Sequence, residues 1–175
     1  MKSSFRSLSR VHTRKLFVPL SLLLLVSGSA AQTPRELIAA GNEQFERGDY
    51  EAALESYAQV EEDADAAIKA ELLHNLAAAN FKLGNLDDAR ELWVRAASLK
   101  DEAFESTARY NLGNCHYAAA LDQVTSGEGA AAVKLNIVQA IAQYRSALRL
   151  IPDDEDARTN LELAVRILDQ MNTPK

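Results

Sequence analysis

Gly41-Asn42-Glu43-Gln44-Phe45-Glu46-Arg47-Gly48-Asp49-Tyr50 returns as Ala77-Ala78-Ala79-Asn80-Phe81-Lys82-Leu83-Gly84-Asn85-Leu86, and again as Gly113-Asn114-Cys115-His116-Tyr117. Phe45, Phe81 and Tyr117 stand 36 residues apart. The same interval separates Gly48 from Gly84, Ala53 from Ala89, Tyr57 from Trp93, and Asn75-Leu76 from Asn111-Leu112. So many coincidences at one offset mark an internal repeat, and periods of about 20–50 residues belong to stacked architectures.

Each unit reads as two helices. Glu36 to Arg47 has high helix propensity and no internal proline. Gly48 stops it, as a residue free to take positive φ at a helix end. Tyr50 to Glu62 resumes helical spacing, with Ala53, Tyr57 and Val60 on one face. The second unit repeats the pattern, with Ala70 to Leu83, a stop at Gly84, then Leu86 to Leu99 carrying Ala89, Trp93 and Ala96 on one face.

The third unit departs from the period. Ala89 and Ala140 are 51 residues apart, 15 more than the repeat offset, and the excess lies around 118–137. Thr125-Ser126-Gly127-Glu128-Gly129 is the strong breaker cluster there, and alanine, valine and leucine flank it. This predicts two lengthened helices joined at that cluster. Pro152 closes the pair, and Asp153-Asp154-Glu155-Asp156 opens a last helix, where acids suit the positive end of the dipole. The expected fold is therefore all-α. Three helix pairs at about 34–67, 70–101 and 102–152 are followed by a capping helix over 154–171.

These units resemble tetratricopeptide repeats (TPRs), whose pattern runs W-x2-L-G-x2-Y, then A-x3-F, then P. Leu112-Gly113 with Ala140-x3-Tyr144, Ala147 and Pro152 carries it, as does Gly48-Asp49-Tyr50-x2-Ala53-x3-Tyr57. The second unit has Leu76-Ala77 and Ala89-x3-Trp93 without the closing proline. The resemblance covers Pro34 to about Met171 and implies an α-α superhelix that binds along its concave face. A narrower likeness rests on Tyr110-Asn111-Leu112-Gly113-Asn114 and on the run from Ala140 through Pro152 to Ala164. In these it is similar to exported repeat proteins of the bacterial aerotolerance (Bat) operon, encoded beside von Willebrand A-type proteins and an AAA+ ATPase. That likeness implies a periplasmic assembly or stress role and a von Willebrand A-type partner.

The N-terminus reads differently. Lys2, Arg6, Arg10, Arg14 and Lys15 precede the 11-residue apolar run Leu16–Val26, and Ser27-Gly28-Ser29-Ala30-Ala31 follows. A basic start, a short apolar run and a small-residue site predict a secretory signal peptide over 1–31, with the repeat domain over 32–175. The other reading is an uncleaved membrane anchor, for which the run is short against the ~20 apolar residues of a spanning helix. Cleavage after Ala31 leaves 144 residues and moves the net charge from −6 to −11. The expected product is exported, periplasmic and acidic, with membrane contact only through an uncleaved segment. The acidic balance argues against a nucleic-acid partner. The single cysteine excludes an internal disulfide.

Function then falls to surface. The resemblance places the first helix of each pair toward the groove. It thereby places there the stripes Ile38, Asn42, Phe45, then His74, Ala78, Phe81, then Tyr110, Asn114, Tyr117. Asn42 and Asn114 carry both a donor and an acceptor for a peptide backbone. Phe45, Phe81, Tyr110 and Tyr117 serve either to pack a ligand's side chains or to pack the helices themselves. The basic clamp with which chaperone-binding members hold a C-terminal carboxylate is not matched, because Ile38 and Ala78 stand at its positions.

No catalytic or cofactor constellation is expected. Cys115 and His116 are adjacent and point ~100° apart on a helix, so they do not form a nucleophile–base pair. Cys115 reads as seam packing or as a redox-sensitive thiol. Asp153–Asp156 lacks the glycine and spaced ligands of a calcium loop, and Gly127-Glu128-Gly129 lacks the Lys-Ser/Thr of a phosphate loop. The expectation is a non-enzymatic adaptor for a protein or peptide, or else a structural subunit assembled through helix edges and the long third unit.

Overall fold

A computed structural model describes residues 32–60, 65–99 and 101–173, with the side chains of 102 and 103 outside the description. The predicted signal segment, 1–31, lies outside the described residues.

Seven helices follow one another among the described residues: α1 Pro34–Arg47, α2 Tyr50–Tyr57, α3 Ala66–Lys82, α4 Leu86–Ala97, α5 Glu102–Thr125, α6 Ala130–Leu150 and α7 Glu155–Asn172. Local chemistry sets their ends. Thr33 and Glu36 close a capping box at α1, with Thr33 N donating to Glu36 Oε2 at 2.8 Å and Glu36 N donating to Thr33 Oγ1 at 3.3 Å. Asp65, Asp101 and Asp154 each accept from a backbone N–H three residues on, capping α3, α5 and α7. At the ends of α1 and α3, Gly48 and Gly84 take φ +86° and +81°, and Asp49 N and Asn85 N then donate back to the Gln44 and Asn80 carbonyls at 2.9 Å. That bond from C″ to C3 needs a left-handed C′ residue, which glycine adopts without penalty.

Two boundaries differ from the sequence reading. α2 ends at Tyr57 rather than continuing to residue 62, and α3 begins at Ala66 rather than Ala70. The Asp65 cap starts α3 a turn early.

Each helix packs on the next along the chain, and the odd helices α1, α3 and α5 also touch in succession. The core is correspondingly a row of three clusters. The first holds Leu37, Ile38, Ala53, Tyr57 and Val60. The second is built on Leu73, Ala77, Ala89, Trp93, Leu112 and Cys115, and the third on Ala120, Val133, Ile137, Ala140 and Tyr144. Alanines at 0% exposure (53, 77, 79, 89, 108, 140, 147, 157 and 164) let helix backbones approach, and one large ring per pair fills the remaining gap. α5 and α6 extend well past α4 and turn at 126–129.

Candidate functional site

The odd helices position a repeated polar seat. In the first pair, Gly41 lies under the Tyr57 ring so closely that a Cβ there would sit 2.2 Å from Cε1. The ring crosses the bare backbone and brings its hydroxyl to α1, where Tyr57 O–H donates to Asn42 Oδ1 at 2.7 Å. Asn75 of α3 donates Nδ2 to the same oxygen at 2.9 Å. The third pair repeats this arrangement. A Cβ at Gly113 would sit 2.4 Å from Tyr144 Cε1. Tyr144 O–H donates to Asn114 Oδ1 at 2.9 Å, and Asn160 of α7 donates Nδ2 to that oxygen at 3.0 Å. Thus a Gly-Asn pair on one helix, a tyrosine on the second and an asparagine on the third form one unit. Its hydrogen bonds staple the first and third helix pairs each to the next element.

The middle pair is built otherwise. Ala77-Ala78 replaces Gly-Asn, and Trp93 replaces the tyrosine. Trp93 is buried, 5.9 Å from the Phe81 ring between centroids, and its Nε1–H has no hydrogen-bond partner among the described residues. With Ala78 in the asparagine's position, the acceptor that serves the two tyrosines is missing.

Above the two polar seats lie two cavities. One, about 230 Å³, is lined by Asn42, Phe45, Glu46, Tyr57, His74, Asn75 and Ala78. The other, about 260 Å³, is lined by Phe81, Asn114, Tyr117, Ala118, Leu121, Tyr144, Asn160 and Leu163. Six of the seven sequence candidates therefore gather in two places: Asn42, Phe45 and His74 in the first, Phe81, Asn114 and Tyr117 in the second. Tyr110 lines neither. Its ring lies 6.0 Å from that of Tyr144 and its hydroxyl accepts from Asn160 Nδ2 at 3.2 Å. Asn114 is largely committed within the protein, since its Nδ2 also donates to Asn111 Oδ1 at 3.3 Å. Ile38, at the head of the first stripe, is core at 3% exposure.

Leu121, Leu163, Asn75 and Asn160 also line the cavities and were not singled out by the sequence as site residues. The Asn-Leu pairs at 75–76, 111–112 and 160–161 were the visible signal for Asn75 and Asn160, and no repeat signal marked Leu121 or Leu163. Leu121 and Leu163 are 50% and 40% exposed, so the second cavity presents apolar surface to solvent.

The seats are electrically quiet. Burial lowers the His74 imidazole below its usual value and keeps it neutral. Burial, then the Glu71 carboxylate, pushes the Tyr57 phenol up to about 12. Burial raises Tyr144 as well, followed by the neighbouring Tyr110 and Tyr117. In α5, burial pushes the Cys115 thiol up to about 12, with Arg90 opposing. A thiol so held is protonated and poorly nucleophilic. His116 is lowered by burial, against the hydrogen bond of its Nδ1 with Asn136 Oδ1 at 3.1 Å, and Arg90 lowers it further. Among the described residues, no group of three or more His, Cys, Asp or Glu side chains is placed to hold a metal ion, and no helix is long and apolar enough to cross a membrane.

This architecture is shared with a solved structure, the first TPR of Spaghetti (RPAP3) bound to the HSP90 peptide SRMEEVD. The TM-score is 0.61 at 20% identity, and the match covers 80% of this chain and 96% of that one. The fold is a TPR solenoid. No family model and no curated relative matches the sequence. In TPR terms, α1–α2, α3–α4 and α5–α6 are the helix pairs and α7 is the cap.

Proposed function

We propose that the protein is an exported, non-catalytic adaptor that holds a segment of a partner protein along the face formed by α1, α3, α5 and α7. The observation that carries this reading is the pair of cavities on that face, each floored by a hydrogen-bonded tyrosine and rimmed by aromatic or aliphatic side chains. Cavities that combine apolar rims with a few fixed polar groups suit two spaced side chains of one segment. Asn42, Phe45 and His74 serve the first, Phe81, Asn114, Tyr117, Leu121 and Leu163 the second, and Tyr110 positions Asn160. The related fold with a peptide bound supports this reading. A C-terminal carboxylate is a poor fit, because Ile38 is buried, Ala78 is apolar and Glu46 adds a negative charge at the first cavity.

The basic-apolar-small order of 1–31 supports export. Similarity to aerotolerance-operon proteins supports an envelope assembly or stress role with a von Willebrand A-type partner. Affinity capture from envelope extract tests the groove. Leu121→Ala with Leu163→Ala trims half-exposed side chains and leaves the packed rings intact. Capture is expected to fall at least tenfold with unchanged helicity. Undiminished capture by the folded double variant sinks the groove. A second reading, a structural subunit of an envelope complex, is favoured by the overhang of α5 and α6 beyond α4.

A further inference from the structure

The outer face of α6 carries an apolar seam that the fold leaves uncovered. Ala131, Leu135, Val138 and Ala142 follow at i, i+4, i+7 and i+11, so they fall on one stripe of the helix. All four are exposed, Leu135 at 60% and Val138 at 41%. The core of the pair lies on the opposite side, through Val133, Ile137, Ala140, Tyr144 and Ala147. The stripe continues past Ala142 as Arg145 and Arg149, both exposed. Arg149 also donates to Ser146 Oγ at 2.7 Å. At the other end the chain is acidic. Glu128 precedes the helix and, with Asp122 of α5 and Asp87 and Asp88 of α4, lines a cavity of about 550 Å³ at the tip of the hairpin. Arg90 pairs with Asp87 there.

This order is self-complementary under a two-fold axis. With the axis between Asn136 and Ile137, an antiparallel second α6 sets Leu135 against Val138, Ala131 against Ala142, and Glu128 against Arg145. The small alanines at both ends let the two helices approach to packing distance. A two-fold contact requires one patch to match itself reversed, and this seam has Glu128 just ahead of its first turn, an apolar middle flanked by exposed Lys134, and Arg145 and Arg149 at its far end. We infer that the protein forms an antiparallel homodimer through the outer face of α6. The inference does not depend on the concave cavities, which α6 reaches only through Tyr144 on its buried side. Three turns of one helix make a small interface, so association belongs in roughly the micromolar range.

Sedimentation velocity of the full chain across the micromolar range reads this directly. The wild type shifts from monomer to dimer as concentration rises. Leu135→Asp stays monomeric throughout, with unchanged circular dichroism because the side chain is exposed. Arg145→Glu weakens the dimer at least tenfold, and Glu128→Arg in the same chain restores it. Register is read by oxidation, since Cys115 is buried. A mixture of Ala131→Cys and Ala142→Cys chains forms a mixed disulfide dimer, while neither forms one alone. A wild type that remains monomeric, a Leu135→Asp chain that still dimerises, or self-cross-linking of Ala131→Cys overturns the proposal.

Discussion

At Gly113 two opposing effects meet. An alanine inside a helix gains up to ~1 kcal/mol over glycine. Here its Cβ would stand 2.4 Å from the Tyr144 ring, inside any real contact distance. Overpacking of this kind costs about 1–3 kcal/mol when a rigid ring cannot retreat. Tyr144 is 1% exposed and its hydroxyl is tied to Asn114, so it has nowhere to go. Gly113→Ala is therefore expected to destabilise by about 1–2 kcal/mol, measured as a lower urea midpoint. In a Tyr144→Leu background the penalty should shrink or reverse. An equal loss in both backgrounds would show that the ring is not the cause. The same residues show why the sequence was legible only to a point. The recurrence of Gly-Asn with a later tyrosine was visible as spacing. That the glycine exists to admit the ring, and that the asparagine's oxygen is already taken, follows from two helices crossing and not from either sequence segment.

Helices in a solenoid depend on their neighbours, and α7 illustrates how. It begins at the Asp154 cap, and it packs on α6 through Ala157 and Ala164. Its link to α5 is polar: Asn160 donates to both Asn114 Oδ1 and the Tyr110 hydroxyl. Asn160→Ala removes both bonds, at a cost of about 1–3 kcal/mol. Stability in stacked repeats is close to a sum of units and nearest-neighbour interfaces, so the effect stays local. Amide hydrogen exchange should quicken over α7 and the middle of α5, around Tyr110 and Asn114, while α1 to α3 are unchanged. Uniform acceleration over all helices would refute that locality. The helices themselves were largely readable in advance, because stops at Gly48, Gly84 and Pro152 are local chemistry. The end of α2 and the start of α3 were not, since a helical period continues through 58–62 and the Asp65 cap outranks it.

Across the whole molecule, buried neutral groups shape the response to pH. His74 and His116 both sit below their unfolded value of 6.5. As pH falls through 6.5 the unfolded chain takes up protons first, so stability is full above that point and declines toward the lowered folded values. Cys115 works in the opposite sense. Its folded value of about 12 exceeds the unfolded 9.0, so its stabilisation is present below pH 9 and is lost as pH rises from there. Tyr57 adds a loss between 10.0 and about 12. Thermal midpoints should therefore be highest between about pH 7 and 9. His74→Gln with His116→Gln should flatten the acid side, and an acid limb unchanged by the double variant would assign it to the carboxylates.

By itself the sequence determined the period, the pairing of helices, their glycine and proline stops, the lengthened third pair and the final cap. These follow from residues within a few positions of one another and from a spacing that survives without coordinates. Tertiary structure decided which seats are open and which are filled. Tyr57 and Tyr144 cross a glycine, reach an asparagine and leave a cavity above. Trp93, over Ala77-Ala78, meets no acceptor among the described residues and packs on Phe81 instead. That outcome depends on ring size, backbone separation and the third helix arriving 33 to 46 residues later in the chain. The same holds for the seam on α6: its apolar spacing is written in the sequence, but only the packed hairpin shows which side faces out.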